Sequence, residues 1–383
     1  MNDVDVLVIG AGPTGLTLAA SLIDRGLRTV VADKQPEGAN TSRAAAVNAR
    51  TLEALDHLDV SRRMVKAGLI APRFTIRQGR QILIPVHFDG LPTEHPYTLM
   101  LSQAETERLL LERLHELGGA VLRPKVLDRF IQDADGVTAT FTDGERIRAG
   151  YLVGADGMHS TVRAQAGIGF AGGEFSESFT LADVRLSGEA PRDEVVLFYA
   201  KDGLTVLAPL PGNIFRVVAP TAHAPQVPSL EFVQSLLDSR GFGTGATVVS
   251  QLLWGTRFRI HHRVADSYRR GRVLLAGDAA HVHSPAGGQG MNLGIVDATS
   301  LAAALSETLS GALTTGTDAA LDRYCSVQRD QAQHVLRLTG RLTRVSTLPR
   351  PLRPVRNAGM RLAARVPAVR QQLALELSGL SRG

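Results

Sequence analysis

Val4, Val6, Leu7, Val8 and Ile9 form a short, nearly continuous apolar run that stops at Gly10. A strand buried on both faces of a parallel sheet has this pattern. The run enters Gly10-Ala11-Gly12-Pro13-Thr14-Gly15, after which Leu16, Leu18, Ala19, Leu22 and Ile23 mark one face of a helix. Thr29, Val30 and Val31 predict a second strand, ending at Asp33. In a G-x-G-x-x-G turn between strand and helix, the first glycine permits the tight turn and the second lets a pyrophosphate approach the backbone. The third lets the helix lie close to the strand. The helix start turns amides and partial positive charge toward the phosphates. Asp33, roughly 20 residues beyond the glycines, is placed to accept hydrogen bonds from a ribose, which favours a nucleotide with a free 2'-hydroxyl such as FAD or NAD.

A polar loop follows, and Leu52, Leu55 and Leu58 predict a helix after it. Arg43, in that loop, carries a fork of donors that suits a phosphate or a flavin edge, and a plain surface arginine reads the same way. Alternation of Phe74, Ile76, Ile82, Ile84, Val86 and Phe88 predicts short strands of a second sheet between Arg73 and Pro96. Gln103 opens a helix with Leu109, Leu110, Leu114 and Leu117 on its apolar side. Three strands are then expected, over Val126 to Ile131, Val137 to Phe141 and Glu145 to Arg148, with Asp135-Gly136 and Asp143-Gly144 as turns. Tyr151 to Gly154 predicts another buried strand, closed by Asp156-Gly157. From Phe175 to Ile260 the chain is strand-like apart from a helix near Leu230 to Leu237, and this is the candidate substrate-covering sheet. Its aromatics Phe198, Tyr199, Phe215, Trp254 and Phe258 are candidates for sheet core or for the lining of a pocket, with His261 and His262 as further lining candidates.

The run Val273-Leu274-Leu275 leads into Gly277-Asp278-Ala279-Ala280-His281, followed by Pro285, a glycine-rich stretch to Gly290, then Met291, Asn292 and a helix. An acid just past a buried strand can bind a sugar or polyol hydroxyl, and a glycine-rich helix start offers bare amides to an anion such as the charged edge of a reduced flavin. Asp278, His281 and His283 could instead be metal ligands, a reading that leaves the glycine-rich continuation unexplained. The remainder is expected to be helical, over 290–309 and 318–338 and then in segments divided by Pro349, Pro351, Pro354 and Pro367. A second dinucleotide fingerprint is not found.

With 383 residues the chain can bury a sizeable core, and 44% hydrophobic with 21% charged residues is ordinary for a soluble globular protein. The +5 net charge is uneven, because Gln331 to Leu375 contains no acid and nine arginines from Arg337 to Arg370. That segment reads as a solvated helical face or as a contact for an anionic membrane or partner. Without interleaved aromatics or a recognised motif, nucleic acid is not an expected partner. Cys325 is the sole cysteine, so no internal disulfide can form. The absence of a basic stretch before the first strand argues against a secretory signal, and the expected location is cytoplasmic. Val6 to Ile23 is uncharged, but its glycines and Pro13 fall where strand turns to helix, so no transmembrane segment is expected.

In combination the motifs resemble those of the p-hydroxybenzoate hydroxylase-like (group A) FAD-dependent monooxygenases, in the branch acting on aromatic polyketides and other phenols. They are the G-x-G-x-x-G of Gly10 to Gly15, the D-G motif in Gly154-Ala155-Asp156-Gly157 through Ser160 and Arg163, and the G-D motif at Gly277-Asp278 with Pro285 and Gly290-Met291-Asn292. The resemblance covers nearly the whole chain. It implies an α/β fold in which a discontinuous Rossmann-type FAD-binding domain (1–72, 97–174 and 266–383, with C-terminal helices) carries an inserted, mainly β substrate-binding domain (73–96 and 175–265). It further implies FAD contacts at Thr14, Asp33, Arg43, Gln103 and Val126, the last through its backbone near adenine. Asp156 and Arg163 match a motif linked to FAD and NAD(P)H, Asp278 would bind the ribityl chain, and Met291 and Asn292 would present amides to the flavin ring.

By the same resemblance, NADPH or NADH binds transiently and reduces FAD. Oxygen adds to the flavin, and a C4a-hydroperoxide hydroxylates a small aromatic substrate. A Baeyer–Villiger oxygenase or an epoxidase on the same fold is the nearest alternative, and a flavin-binding protein without turnover is another. No side chain is assigned a catalytic role. The family's substrate-side tyrosine, aligned through Pro209, falls at Leu204. A monomer or a homodimer is expected.

Overall fold

The computed structural model describes residues 3–38, 44–200, 202–221, 224–283, 288–310, 318–346 and 348–382. Val4–Ile9 (β1) is the centre of the first sheet because apolar side chains on both of its faces find cover: Val6, Leu7 and Val8 are fully buried. The helix Pro13–Asp24 (α1) begins with proline, which has no amide to leave unsatisfied, and returns the chain to Thr29–Ala32 (β2). Arg146–Gly154 (β3) lies parallel to β1 on the other side, and Val273–Leu275 (β4) lies parallel to β3. The helix Gly290–Leu309 (α2) packs along α1. The eight-stranded sheet runs Arg269–Arg270, β4, β3, β1, β2, Val121–Leu122, with Val137–Phe141 and Leu127–Gln132 continuing antiparallel from the outer half of β3.

In β3 the structure departs from the expected pattern. Glu145 to Arg148 and Tyr151 to Gly154 were expected as separate strands, yet the chain is one strand. Its first half pairs antiparallel with Val137–Phe141 and its second half parallel with β1, so a change of partner stands where the sequence suggested a break.

The second sheet is also eight-stranded, in the order His281–Val282, Thr247–Ala265, Phe170–Gly188, Ile214–Thr221, Gly203–Leu210, Glu194–Ala200, Arg73–Gln78, Gln81–His87. Phe170–Gly188 and Thr247–Ala265 are long continuous strands paired antiparallel along nearly their whole length. One face of the sheet is covered by the helix Leu230–Arg240 over Ala182, Val184, Phe198, Phe215 and Val217, with Phe242 edge-on to Phe198 at 4.9 Å. Phe198 and Phe215 are therefore core and do not line a pocket.

Tyr199, the neighbour of Phe198, points to the other face and is closed in by the C-terminal helices. The Arg356 guanidinium lies 4.9 Å from its ring centre and donates to its backbone carbonyl at 3.4 Å. Of the two roles open to it, Tyr199 takes the core one, and burial pushes its hydroxyl up to about 12. No helix among the described residues is long and apolar enough to cross a membrane.

Candidate functional site

The glycine turn closes as its sequence requires. Gly10 has φ +105°, and a Cβ there would sit 2.3 Å from the Ala155 carbonyl oxygen. A Cβ at Gly15 would sit 1.9 Å from the Gly10 carbonyl oxygen, so α1 can lie against β1 only without a side chain. Gly12 differs: no described atom comes within 4 Å of a Cβ built there. Among the described residues no side chain caps α1 and its first turn has no acid, leaving its first amides facing that opening.

Asp33 is half-buried at the end of β2 and accepts hydrogen bonds from the amides of Ala11 (2.6 Å) and Gln35 (2.7 Å). Its carboxylate is thereby locked to the glycine turn. Lys125 donates its amide to the Asp33 carbonyl at 2.7 Å, which brings the exposed Val126 beside the same place, its own carbonyl accepting from the Thr142 amide. Arg123, which sequence reading missed, reaches from this segment to the Ala11 carbonyl at 3.3 Å. Its Nε is buried without a partner among the described residues. A half-satisfied cation beside an open glycine turn is what a pyrophosphate would complete.

Gln103 donates its amide to the Ala44 carbonyl at 3.0 Å, and its side-chain oxygen accepts from the Ala44 amide at 3.4 Å. Arg43, one residue earlier, and Pro285 lie outside the described residues. Asp156 caps the short helix Thr161–Gln165, accepting from the Ser160 hydroxyl at 2.5 Å and from the amides of Thr161 and Val162, while burial pushes its carboxyl up. Arg163 is buried over the Phe170 ring (3.8 Å) and donates to the carbonyls of Ala279 and Met158, each at 2.8 Å. It thus braces the D-G loop against the G-D turn.

In that second turn Gly277 has φ +62° and its Cβ position is 2.5 Å from the Thr14 hydroxyl oxygen, so Thr14 joins the two glycine motifs. Asp278 is exposed between buried Gly277 and Ala279. His281, weighed as a metal ligand, is instead buried against Asp297 at 2.6 Å. Among the described residues no group of three or more His, Cys, Asp or Glu could hold a metal ion. Burial pulls the imidazole down, but the Asp297 carboxylate more than offsets this and its pKa is raised. The stability the charged pair contributes is therefore present below the unfolded value of about 6.5 and lost as pH rises through the higher folded value. The thermal midpoint of the wild type relative to His281→Gln should accordingly fall as pH rises above about 6.5; a constant difference would contradict it.

At the start of α2 the Asn292 side chain is consumed by structure. It accepts from the Asn48 amide at 2.9 Å and donates to the carbonyls of Ala46 (2.8 Å) and Gly288 (2.6 Å). Gln289 accepts from the Asn48 side chain at 3.4 Å and donates to the Leu377 carbonyl at 3.2 Å. The network fixes the strand Ala46–Val47 against the helix start while leaving the first-turn amides of Gly290, Met291 and Asn292 without intrahelical partners.

The second sheet faces this region with the side turned away from Leu230–Arg240. Register sets Trp254, Asp183, Arg216 and Ala208 in one cross-strand row and Thr256, Leu181, Val218, Val206 and Leu197 in the next. Phe258 stands against Phe179 at 5.8 Å. The named rows are apolar apart from Thr256 and the ion pair in which Arg216 grips Asp183 with two bonds of 2.8 Å and donates a third, of 3.0 Å, to the Ala44 carbonyl. The imidazole of His262 packs over Gly173, at the junction of the two sheets.

A first glycine turn open to a pyrophosphate, an acid locked beside it and a second strand-turn-helix aimed at the same opening define a flavin dinucleotide-binding protein, and the unpartnered Arg123 Nε and the vacant space at Gly12 fit FAD. The family model described as FAD binding domain matches residues 3–339. Among relatives, 6-methylpretetramide 4-monooxygenase of Streptomyces rimosus is 37% identical over 357 residues, 91% of this chain and 63% of that enzyme. The structure of OxyS anhydrotetracycline hydroxylase from Streptomyces rimosus superposes with TM-score 0.80 at 34% identity, covering 98% of this chain and 76% of that one. The p-nitrophenol 4-monooxygenase PnpA from Pseudomonas putida DLL-E4 gives TM-score 0.86 at 26% identity over 98% of both chains. The chain belongs to the FAD-binding, p-hydroxybenzoate hydroxylase-like family. Its cofactor is FAD, and the resemblance drawn from the motifs is borne out.

Proposed function

We propose that the protein is an FAD-dependent monooxygenase, an oxidoreductase that uses NADPH or NADH and dioxygen to hydroxylate a phenolic or polyketide aromatic ring. The observation that carries the reading is the mainly apolar sheet face of Val206, Val218, Leu181, Thr256 and Phe258, whose neighbour Arg216 donates to the Ala44 carbonyl, two residues before the Ala46 carbonyl that Asn292 of α2 holds. An aromatic ring held on such a wall is shielded from water on the side where chemistry takes place. The names of the relatives speak of 6-methylpretetramide, anhydrotetracycline and p-nitrophenol, and this reading gives the present chain an aromatic substrate of that general kind.

In this reading α1, Asp33 and Arg123 hold the dinucleotide, with Thr14, Gln103, Val126 and Arg43 around it. Asp278 takes the ribityl chain, and the amides of Met291 and Asn292 stabilise negative charge at the ring edge. Asp156 and Arg163 act by holding the D-G loop on the G-D turn. When bound, FAD supplies hydride acceptance and oxygen activation, and the protein supplies position and exclusion of water. The reading also takes the division into 1–72, 97–174 and 266–383 against 73–96 and 175–265, a cytoplasmic location, and a monomer or homodimer.

The test is oxidation of NADPH and NADH by the FAD-loaded protein in air, across phenols, naphthoquinones and polycyclic polyketides, with product masses. The expected result is that a compound in the panel accelerates oxidation and gains one oxygen on its ring. An inserted ester oxygen or an epoxide in the fragmentation pattern would replace hydroxylation by the neighbouring chemistries. Flavin that stays oxidised under anaerobic NADPH and NADH with the panel present would sink the enzymatic reading.

A further inference from the structure

We propose that the buried Asp297–His281 pair is the positioning unit of the FAD site, setting FAD affinity without touching the cofactor. Asp297 lies about two turns into α2, the helix whose first-turn amides the proposed reading gives to the flavin. It is fully buried, and a single oxygen of its carboxylate accepts two bonds, from the Gly277 amide at 3.0 Å and from His281 Nε2 at 2.6 Å. Gly277 opens the turn that ends the last strand of the first sheet, and His281 begins the edge strand of the second. One atom therefore ties together the helix and both sheets at the place where Asp278 emerges.

The turn has little freedom left. Its other side rests on Thr14, whose hydroxyl oxygen is 2.5 Å from the Cβ position of Gly277 and 2.4 Å from that of Gly294 in α2. Its far end is held by the Ala265 amide on the Ala280 carbonyl at 2.7 Å. The Tyr268 ring stacks on His281 at 6.2 Å, and the Tyr324 hydroxyl donates to the Leu275 carbonyl at 2.8 Å, just before the turn. Asp278 alone points outward.

A fully buried ion pair is weak evidence for stability, because desolvation of both charges offsets most of their attraction. Its contribution here is geometric: a carboxylate oxygen can accept from two donors at once, and those donors belong to the two pieces of chain that must be kept in register. A turn displaced by even ~1 Å would take Asp278 away from where it would hold the ribityl chain in the proposed reading. The proposal rests on the FAD site described above, and its test reads binding, not turnover.

The experiment is titration of apoprotein with FAD by flavin fluorescence, alongside the apoprotein melting temperature, for the wild type, Asp297→Ala and Asp297→Asn. Asp297→Ala is expected to weaken FAD binding at least about tenfold, equivalent to roughly 1.4 kcal/mol. Asp297→Asn keeps a carbonyl acceptor for the Gly277 amide and is expected to recover most of that loss. A lowered melting temperature with wild-type affinity in Asp297→Ala overturns the proposal, and so does an Asn variant as weak as the Ala variant. If Asp297→Ala does not fold, His281→Gln decides: a loss of about threefold or more supports the proposal, and wild-type affinity overturns it.

Discussion

Gly12→Ala is expected to leave the apoprotein at least as stable as the wild type while weakening FAD binding by roughly ten- to a hundredfold, whereas Gly15→Ala loses both. The contrast comes from what each added methyl group meets. At Gly12 the backbone is extended with φ −76°, a conformation alanine adopts freely, and the Cβ position is open. Removing a glycine from such a site stabilises by about 0.5 kcal/mol through the unfolded chain. The methyl would occupy the space a pyrophosphate needs, and overpacking of about 1–3 kcal/mol is the corresponding affinity loss. At Gly15 the methyl meets the Gly10 carbonyl at 1.9 Å, so α1 must move off β1 and the apoprotein loses roughly 3 kcal/mol. Calorimetry of both apoproteins with FAD titration of Gly12→Ala checks the pair of effects. Equal behaviour of the two variants would contradict the assignment of separate roles.

The second large effect is expected at Arg216. Arg216→Ala leaves Asp183 on the apolar wall without its partner, and breaking a buried pair from one side typically costs about 3–5 kcal/mol. The Asp183 side chain retains 18% of its exposure against 3% for Arg216, so the lower end of that range applies. The same substitution frees the Ala44 carbonyl, next to Arg43 and Gln103. Two consequences are therefore expected together: a denaturant midpoint lowered by about 3 kcal/mol of stability, and a larger share of NADPH oxidation that yields no oxygenated product. Arg216→Lys, which keeps the charge but not the fork, should lie between. A variant that is destabilised but fully coupled would confine Arg216 to a structural role.

Both effects bear on how much the sequence alone could reveal. The glycine turn, Asp33 and the G-D turn were legible because each is a local pattern, read within some twenty residues. Arg123 carried no such pattern: it becomes a candidate only when the chain brings it to Ala11, far away in sequence. The Asn48–Gln289–Asn292 network escaped for the same reason, and the Asp297–Gly277 contact, though only 20 residues apart, escaped because a backbone amide gives no sign in sequence of which acceptor it will meet. Between core and pocket lining, Tyr199 was left open for a different reason. Glu194–Ala200 is buried on both faces, so its run shows no alternation from which to tell Phe198's side of the sheet from Tyr199's. The β3 strand was split because its outer half is polar and its inner half apolar, a change of environment within one element.

The two long strands Phe170–Gly188 and Thr247–Ala265 have a consequence for recombination between relatives. Phe170 lies under Arg163 of the D-G motif and Ala265 donates to Ala280 beside the G-D turn, and from there the two strands run on together, paired along nearly their whole length with three register breaks. A chimera that borrows another enzyme's wall must therefore import both strands as a matched couple, register breaks included. Exchange of either strand alone would pair side chains that were never fitted to each other and turn the misfit directly onto the cofactor.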